Sequence, residues 1–304
     1  MKKILILFTA ALMFCFAGCA QQSAVSQVYD IENFIAETKR QTSEDGTYII
    51  SDFDAEGREI RTTWYTADGQ PDSSSVYEYD ENGNNIRRTR YTSDNVIDRY
   101  SEYSYDENGN VVLMTVYDAD GEKLTHSTYE YDANGNLLCE TDYRKNGMLD
   151  DKYEYEYDEN GNVMLIRNYT EAGELDYINE YDEQGRRIRV TWYHGSGKVE
   201  TICESEFDEN GNILRVKEYN ADRVLQVVVE NDENGKAISK KEYNENGAMV
   251  AQSSYGEEEK LLNKTEYDEN GVKTAYYEYE NGQVTVIVTY NADGSVKTSG
   301  TPLQ

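Results

Sequence analysis

Glycines return at a fixed spacing of 26 residues, and this period constrains the fold more than any other feature of the sequence. Gly57, Gly83, Gly109, Gly135 and Gly161 follow one another at that interval. The last four lie in the same motif, Tyr-Asp-x-Asn-Gly-Asn, where x is Glu or Ala. A fixed period in this range is typical of a repeat architecture. We therefore expect one structural unit, repeated along the chain.

The motif has the chemistry of a hairpin turn. Asp is favoured at the first position of a type I turn, and glycine can close a three-residue loop at positive φ. Flanking stretches such as Tyr155-Glu156-Tyr157 and Val163-Met164-Leu165-Ile166 consist largely of residues that favour strands. A second, looser turn lies midway in each unit, as in Tyr169-Thr170-Glu171-Ala172-Gly173. The sequence thus predicts an all-β fold, an elongated antiparallel β-hairpin repeat sheet or solenoid with about 26 residues per two-strand unit. A propeller with two units per blade is the alternative.

An aromatic residue stands four positions before almost every turn glycine. Asn231 is the exception, and Arg223 and Glu259 stand where a glycine is expected. Repetition of the rings predicts a stacked ladder of aromatic side chains along the body, because neighbouring rings attract one another. The two turns without glycine are predicted to be built differently from the rest.

The net charge of the chain limits the classes of partner that it is expected to bind. There are 59 acidic and 29 basic residues, for a formal net charge of -30, which disfavours nucleic acid and anionic membranes. The 28 tyrosines argue against a disordered acidic tail, where aromatic residues are few. Bases follow the tight turn, as at Arg187 and Arg189, and acids precede it, as at Glu204 and Glu206. Neighbouring antiparallel strands are therefore predicted to set unlike charges opposite each other.

The first residues have the pattern of an export signal. Lys2 and Lys3 precede an apolar stretch, Ile4 to Phe16, which is followed by Ala17-Gly18-Cys19. This ending resembles the lipobox of bacterial lipoprotein signal peptides. The resemblance implies cleavage before Cys19 and a diacylglycerol thioether on its sulfur. An ordinary secretory signal cut after a small residue is the alternative.

The domain boundaries follow from these patterns. We predict a lipoprotein signal peptide over 1–18, a polar tether over 19–33, a β-hairpin repeat domain over 34–298 and a frayed C-terminus over 299–304. A short amphipathic helix built on Val28, Ile31 and Ile35 is the alternative for the start of the body. A strand from Phe34 onward is preferred.

The repeat resembles a known family. The pattern Tyr-x-Tyr-Asp-x-x-Gly-Asn followed by an apolar pair is similar to the YD repeats of the RHS family of bacterial surface and toxin-shell proteins. The looser half, as in Tyr193-His194-Gly195-Ser196-Gly197-Lys198-Val199, resembles variant MORN repeats. The likeness extends over about residues 47–294 and implies a β-hairpin repeat sheet, coiled or extended. The sequence has no Asp-Pro-x-Gly-Leu autoprotease core. We therefore use the resemblance to predict the fold and not a role in toxin delivery.

Catalysis has little support in the sequence. The two histidines, His126 and His194, do not repeat and belong to no metal-spacing or nucleophile motif. We predict no enzyme activity and no cofactor. Cys139 and Cys203 lie two to three repeats apart, a span awkward for a disulfide, and are predicted to be small buried hydrophobic side chains, with a disulfide between them as the alternative. The Asp and Asn residues of the turns are interpreted as turn formers, because their spacing departs from that of an EF-hand. Calcium binding is the alternative.

Five of the aromatic residues outside the ladder form the candidate ligand patch. They are Trp64, Tyr100, Tyr103, Tyr153 and Trp192. The sequence thus predicts a surface lipoprotein, exported and anchored through the lipid on Cys19 to the outer face of the cell membrane, or to the outer membrane of a diderm bacterium. Its repeat body would be a binding or structural module. A carbohydrate- or calcium-binding adhesin is the alternative, with cell-wall or extracellular glycan, or protein, as the partner.

Overall fold

The computed structural model describes residues 31–301, and almost all of them belong to strands and the turns between them. The predicted signal peptide, Cys19 and most of the predicted tether lie outside the described residues. Two short 3-10 segments, Ile31–Phe34 and Glu257–Glu259, are the helical elements of the described part. The all-β prediction is confirmed.

The strands have the following bounds. They are β1 Glu37–Thr42, β2 Tyr48–Phe53, β3 Glu59–Tyr65, β4 Pro71–Tyr79, β5 Asn85–Thr92, β6 Ile97–Tyr105, β7 Val111–Asp118, β8 Lys123–Tyr131, β9 Leu137–Tyr143, β10 Leu149–Tyr157, β11 Val163–Tyr169, β12 Leu175–Tyr181, β13 Arg187–His194, β14 Lys198–Phe207, β15 Ile213–Asn220, β16 Leu225–Asn231, β17 Ala237–Tyr243, β18 Met249–Tyr255, β19 Leu261–Tyr267, β20 Lys273–Glu280, β21 Gln283–Tyr290 and β22 Val296–Gly300.

Every strand pairs antiparallel with the strand before it and the strand after it in the chain. The result is one continuous 22-stranded sheet with β1 and β22 at its two ends. This arrangement contradicts the propeller alternative, because a propeller divides its strands among separate blades. Lys39 and Arg40 on β1 and Lys297 on β22 place positive charge on the terminal strands, a common protection against edge-to-edge pairing.

The turns alternate between the two long sides of the sheet because successive strands run in opposite directions. One side, here called the tight-turn side, carries the turns closed at Gly57, Gly83, Gly109, Gly135, Gly161, Gly185, Gly211, Gly235, Glu259 and Gly282. The other, the loose-turn side, carries the turns closed at Gly46, Gly69, Asn95, Gly121, Gly147, Gly173, Gly197, Arg223, Gly247, Gly271 and Gly294. At a typical tight turn the Gly161 N–H donates to the Asp158 carbonyl at 3.1 Å, and Gly161 adopts a φ of +84°.

Each hairpin after the first contains one extra residue beside its turn. Tyr157 pairs with Val163, but Glu156 pairs with Leu165, so Met164 is a β-bulge that has no counterpart on β10. The same shift recurs between successive strands from β2 to β22. Because side chains alternate between faces, one extra residue moves all those that follow it to the other face.

The bulges separate the aromatic side chains onto opposite faces of the sheet. Tyr143, at a loose turn, pairs with His126 and therefore lies on the same face as His126. Tyr131, at a tight turn, is five residues further along β8 than His126, so it lies on the other face. The predicted single ladder is therefore wrong. The stacked rings are cross-strand pairs toward the loose-turn side, namely Tyr48–Tyr65, Tyr100–Tyr117 and His126–Tyr143, with ring centroids 4.5–4.9 Å apart.

Both faces of the sheet remain largely open among the described residues. The extensive contacts all join strands that follow each other in the chain, and no second layer packs on the sheet. The buried apolar side chains of the described part are Val190, Ile202, Val228, Ala251 and Ala275. Most other buried positions hold Ser, Thr or Asn within a strand. The protein is therefore held together by strand pairing and cross-strand side-chain contacts more than by a core.

The turn at Arg223 has the same geometry as the glycine turns, so the prediction that it is built differently is wrong. Arg223 adopts a φ of +61°, and its N–H donates to the Asn220 carbonyl at 2.9 Å. The turn at Glu259 does differ, because both Glu258 and Glu259 have positive φ and the loop contains a short 3-10 segment. Both sites place a residue with a Cβ in a region that costs about 1–2 kcal/mol.

Replacing Arg223 with glycine is expected to stabilise the protein. The substitution removes the steric cost of the left-handed conformation, and we expect a gain of about 1 kcal/mol, reduced by the extra freedom of glycine in the unfolded chain. The measurement is the urea midpoint. Asp222→Gly, one position earlier in the same turn, is the control and is expected to destabilise. A lower midpoint for Arg223→Gly would contradict the assigned strain.

The ends of the body differ slightly from the predicted boundaries. Phe34 ends a 3-10 segment, and β1 begins three residues later at Glu37. Within the predicted frayed segment, Ser299 pairs with Val288 and β22 continues to Gly300. Backbone pairing with β21 therefore orders part of this segment.

Candidate interaction surfaces

Tyrosines at the tight turns bind the backbone of the preceding unit. The Tyr157 hydroxyl donates to the Leu137 carbonyl at 2.7 Å. The Tyr105 hydroxyl donates in the same way to Asn85 at 2.6 Å, and that of Tyr79 to Glu59 at 2.7 Å. In each pair the acceptor lies 20 residues earlier, two positions after the previous tight-turn glycine or its equivalent. The ring thus reaches the neighbouring strand, which belongs to the preceding tight-turn hairpin, and connects consecutive units. This contact explains why the motif begins with tyrosine.

Asn231 makes the same connection with a different side chain. It stands at the tyrosine position of its turn, and its Nδ2 donates to the Ile213 carbonyl at 2.9 Å. Here the acceptor is 18 residues earlier, because the two turn glycines, Gly211 and Gly235, are 24 residues apart. The sequence exception is therefore a replacement that keeps the hydrogen bond and loses the ring.

The turn aspartates are satisfied within their own loops. Asp158 Oδ1 accepts hydrogen bonds from the N–H groups of Asn160 and Asn162, both at 2.8 Å. Its Oδ2 accepts from Asn162 Nδ2 at 3.0 Å. The side chain and backbone N–H of Asn162 hold the pKa of the Asp158 carboxyl below its usual value. At Asp54 and Asp182 an arginine replaces the final asparagine and donates to Oδ2 from Nε at 2.7 Å.

Acid is expected to remove the contribution of these carboxylates to stability. A carboxyl whose pKa is lower in the folded state stabilises the protein above the unfolded pKa of about 3.9, and this effect is lost as pH falls through the folded value. We therefore expect Asp158→Asn to be less stable than the parent at pH 6, with a difference that shrinks below pH 4. Urea midpoints at pH 6, 4 and 3 measure this. A difference that does not change with pH would contradict the role of the charge.

Calcium has no assembled site in the described residues. No group of three or more His, Cys, Asp or Glu side chains there is placed to hold a metal ion. The turn carboxylates already accept hydrogen bonds from their own loops, as at Asp106, whose oxygens meet the N–H groups of Asn108 and Asn110 and the Asn110 amide. This geometry favours the interpretation of Asp and Asn as turn formers.

We expect the melting temperature to be the same in EDTA and in millimolar calcium. The physical reason is that calcium would have to displace the hydrogen bonds that the loop already makes. Thermal unfolding in the two buffers is the measurement, and magnesium at the same ionic strength is the control. A rise of many degrees with calcium alone would contradict this expectation.

One face of the sheet carries rows of alternating charge, and we call it the charged face. Arg189 lies between Glu180 at 2.9 Å and Glu204 at 3.0 Å. Arg215 bridges Glu206 and Glu230 in the same way, with both distances 2.8 Å. These residues are direct partners on neighbouring strands. The prediction that unlike charges face each other is confirmed, and the pairs fix the strand register.

The opposite face, here called the front face, holds four of the five predicted patch residues. Tyr153 pairs with Asn168, Asn168 with Tyr177, and Tyr177 with Trp192, so these side chains form one row across four strands. Trp64 and Tyr103 lie on the same face but several strands away. None of these aromatic residues is fully exposed. The structure therefore brings together Tyr153 and Trp192, and sequence reasoning missed Tyr177, which the same alternation could have identified.

Tyr100 lies on the charged face, away from the other four. It pairs and stacks with Tyr117 at a centroid distance of 4.9 Å, and the guanidinium of Arg87 lies 3.9 Å from its ring. Burial raises the pKa of the Tyr100 hydroxyl. These contacts give Tyr100 a structural role in its own pair of strands.

The two cysteines of the body are free thiols and are half-buried, so the prediction that they are buried is wrong. Cys139 pairs with Glu154 on β10, and Cys203 pairs with Val190 on β13, so they lie on opposite faces, five strands apart. Burial raises the pKa of the Cys203 thiol, which makes it less reactive.

The two histidines lie apart from each other. His126 stacks on Tyr143, and His194 lies in an exposed turn beside Glu200. Within residues 31–301, no helix has the length and apolar character needed to cross a membrane.

Two sequence families match parts of the chain. One, described as RHS Repeat, matches residues 105–145. The other, described as Protein of unknown function (DUF2963), matches residues 43–91 and 169–218. No curated protein matches the chain.

Solved structures with local similarity include a holotoxin pore, a TcdB2-TccC3-Cdc42 structure and a porin-like protein. The Photorhabdus luminescens Tc holotoxin pore is 14% identical over 81% of this chain and 16% of that one, with a TM-score of 0.32. The TcdB2-TccC3-Cdc42 structure is 15% identical over 87% of this chain and 18% of that one, with a TM-score of 0.32. A porin-like protein from Bacteroides uniformis is 10% identical over 81% and 90% of the two chains, with a TM-score of 0.27.

This chain spans less than one fifth of the length of the first two of these chains. All three TM-scores lie below 0.5, and the likeness to the RHS repeat rests on the sequence match over residues 105–145. The matched segments contain that motif or a close variant of it, such as Phe207-Asp208-Glu209-Asn210-Gly211-Asn212, and the hairpins on either side of them have the same type of turn and the same antiparallel pairing. Residues 105–145 are therefore similar to the RHS repeat, and the neighbouring hairpins share its turn chemistry.

Proposed function

We propose that the protein is a surface lipoprotein whose repeat body serves as an extended binding or structural module. The observation that supports this most is the open single-layer sheet, which exposes two faces and two long sides along 22 strands. Side chains on such a surface are available to a partner along its whole length. The lipobox-like stretch ending at Cys19 supports export and anchoring at the outer face of a membrane.

Metabolic labelling with an alkyne-bearing fatty acid tests the anchor. Cells expressing the full chain are expected to yield labelled protein in the membrane fraction. Cys19→Ala is expected to lose the label, whereas Cys139→Ala and Cys203→Ala keep it. An unlabelled parent, or label that persists in Cys19→Ala, would contradict the proposed anchor.

Carbohydrate is the second candidate ligand, because the row formed by Tyr153, Tyr177 and Trp192 presents aromatic rings that can stack on sugar rings. A glycan array probed with the full chain tests this candidate. Binding that is lost in Trp192→Ala but kept in Tyr100→Ala would support the row on the front face. Binding that is absent, or equally affected by both variants, would leave the body as a scaffold or a protein-binding surface.

A further inference from the structure

The bulge residues give the two long sides of the sheet different chemistry. On the tight-turn side the bulge position is apolar in nine successive units, and we call these residues the apolar row: Ile60, Ile86, Val112, Leu138, Met164, Ile188, Leu214, Ile238 and Leu262. On the loose-turn side the same position is mostly polar or acidic: Asp72, Asp98, Leu124, Asp150, Asp176, Glu200, Gln226, Val250, Thr274 and Lys297. Backbone geometry does not require this difference, since both sides form the same bulge.

The apolar row is exposed. Seven of its nine side chains have 36–47% of their surface open to solvent, and Ile60 and Val112 are half-buried. Met164 lies on the front face, because Leu165 pairs with Glu180 on β12 and the regular register of these two strands sets Met164 beside Tyr181. Consecutive members are two strands apart, a spacing of about 10 Å. The row is therefore a regular series of apolar points along one side of the front face.

Acidic loops lie directly beside the row. Nine five-residue turns accompany its members, and each has more acidic than basic residues: 54–58, 80–84, 106–110, 132–136, 158–162, 182–186, 208–212, 232–236 and 256–260. The aspartates of these turns accept hydrogen bonds from their own loops. The glutamates at the second position of the turns, such as Glu107 and Glu159, are exposed and form no ion pair within residues 31–301. On the loose-turn side most turns are also acidic, but 144–148 and 194–198 are basic and 220–224 is neutral, so the acidic series is interrupted there.

The chain itself places an apolar side chain at the first member of the row. Phe34, from the segment before β1, lines the same cleft as Ile60, Tyr77 and Tyr79. A second cleft lies further along the same side, where Val163, Ile166 and Tyr181 meet the turn that contains Glu183 and Gln184; the row members Met164 and Ile188 lie beside it and not in its lining. Clefts between consecutive tight turns thus occur at two places along this side, and the first of them takes in the ring of Phe34.

From these observations we propose that the apolar row and its acidic turns form a docking surface for a basic amphipathic α-helix of another protein. Seven residues of helix rise about 10.5 Å, close to the spacing of the row, so one apolar side chain per heptad would meet one unit. Lysine or arginine beside it would meet the free glutamates. A second copy of this chain does not fit, because it would bring acidic turns against acidic turns. The inference specifies the partner class of the binding role proposed above and does not depend on the anchor.

A synthetic helix tests the proposal. The probe is a helix of about 28 residues, or four heptads. Each heptad contains two adjacent leucines with lysines on either side of them. Fluorescence anisotropy with the full chain in zwitterionic nanodiscs, corrected with empty nanodiscs, gives its affinity. If the anchor is absent the protein stays in solution, and the same titration applies there. Saturable binding that weakens with added salt is expected, and a probe with glutamate in place of lysine is expected not to bind.

Matched variants locate the site. The triple variant Leu138→Gln, Met164→Gln and Ile188→Gln removes three consecutive members of the row, and we expect binding at least about tenfold weaker, a loss in keeping with centrally placed apolar anchors. The double variant Val96→Gln and Met148→Gln, at exposed apolar residues on the loose-turn side, is the control and is expected to have no effect. Circular dichroism and urea midpoints verify that both variants fold.

Three results would overturn the proposal. The first is unchanged affinity in the row variant when that variant is folded. The second is equal binding of the lysine and glutamate probes. The third is concentration-dependent dimerisation in sedimentation that the row variant abolishes, which would assign the row to self-association.

Discussion

Deleting Met164 is expected to destabilise the protein far more than replacing its side chain. The deletion removes the extra residue of the bulge, so β11 must either change face relative to β10 or rebuild its turn. A change of face would break the ion pair of Arg167 with Glu156, 2.6 Å apart, and would bring charged side chains to the front face. We expect a loss on the order of 4 kcal/mol, at the upper end of the range for single changes.

Met164→Ala is the matched control, because it keeps the residue count and removes only a side chain that is 44% exposed. We expect it to change the free energy of unfolding by no more than about 0.5 kcal/mol, as is usual at the surface. Urea unfolding followed by far-ultraviolet circular dichroism measures both variants. Equal stability of the deletion and the alanine variant would show that the extra residue does not set the faces of the strands.

Ile202→Ala is expected to have the largest effect of any single side-chain truncation in the body. The side chain is 4% exposed, lies on the charged face and pairs with Thr191 and Tyr219 on the flanking strands. Truncation removes buried methyl groups and leaves a cavity in a sheet that has few other buried apolar contacts, at a cost of about 2–4 kcal/mol. Because each unit contacts only its neighbours, we also expect the loss to be concentrated near β13, β14 and β15.

Hydrogen exchange of the backbone amides tests the position of that loss, and the urea midpoint tests its size. Ile213→Ala is the control, since Ile213 is 36% exposed and lies close by at the start of β15. We expect its cost to stay below about 1 kcal/mol. A uniform loss of protection across all 22 strands would contradict the nearest-neighbour description and would indicate that the sheet unfolds as one unit.

The fold could be predicted from the sequence because the turn residues have local chemical preferences. Asp158, Asn160 and Gly161 each have a local reason to occupy their places, and none of these reasons requires knowledge of the rest of the molecule. The same holds for the charge pairs, because acids and bases segregate by strand. Arg223 was misjudged because a missing glycine was taken to mean a different turn. The backbone instead keeps the geometry with a strained residue.

The candidate surfaces were only partly predictable. Tyr153 and Trp192 were singled out because they lie outside the turn motif, yet Tyr100 shared that property and lies on the other face. The sequence does not display which face a residue occupies, since each bulge shifts the alternation by one. The apolar row was overlooked for the same reason. Its members are regularly spaced in the chain, but their separation from the polar bulges of the other side appears only once the strands are paired.

The sequence by itself determined the all-β repeat, the positions of the turns and the antiparallel order of the strands, because these depend on contacts within a few residues. The tertiary structure alone decided that the aromatic side chains divide between two faces and that the two long sides differ. The physical reason is the bulge residue beside each turn, whose effect is carried along the whole following strand and is set by pairing between strands.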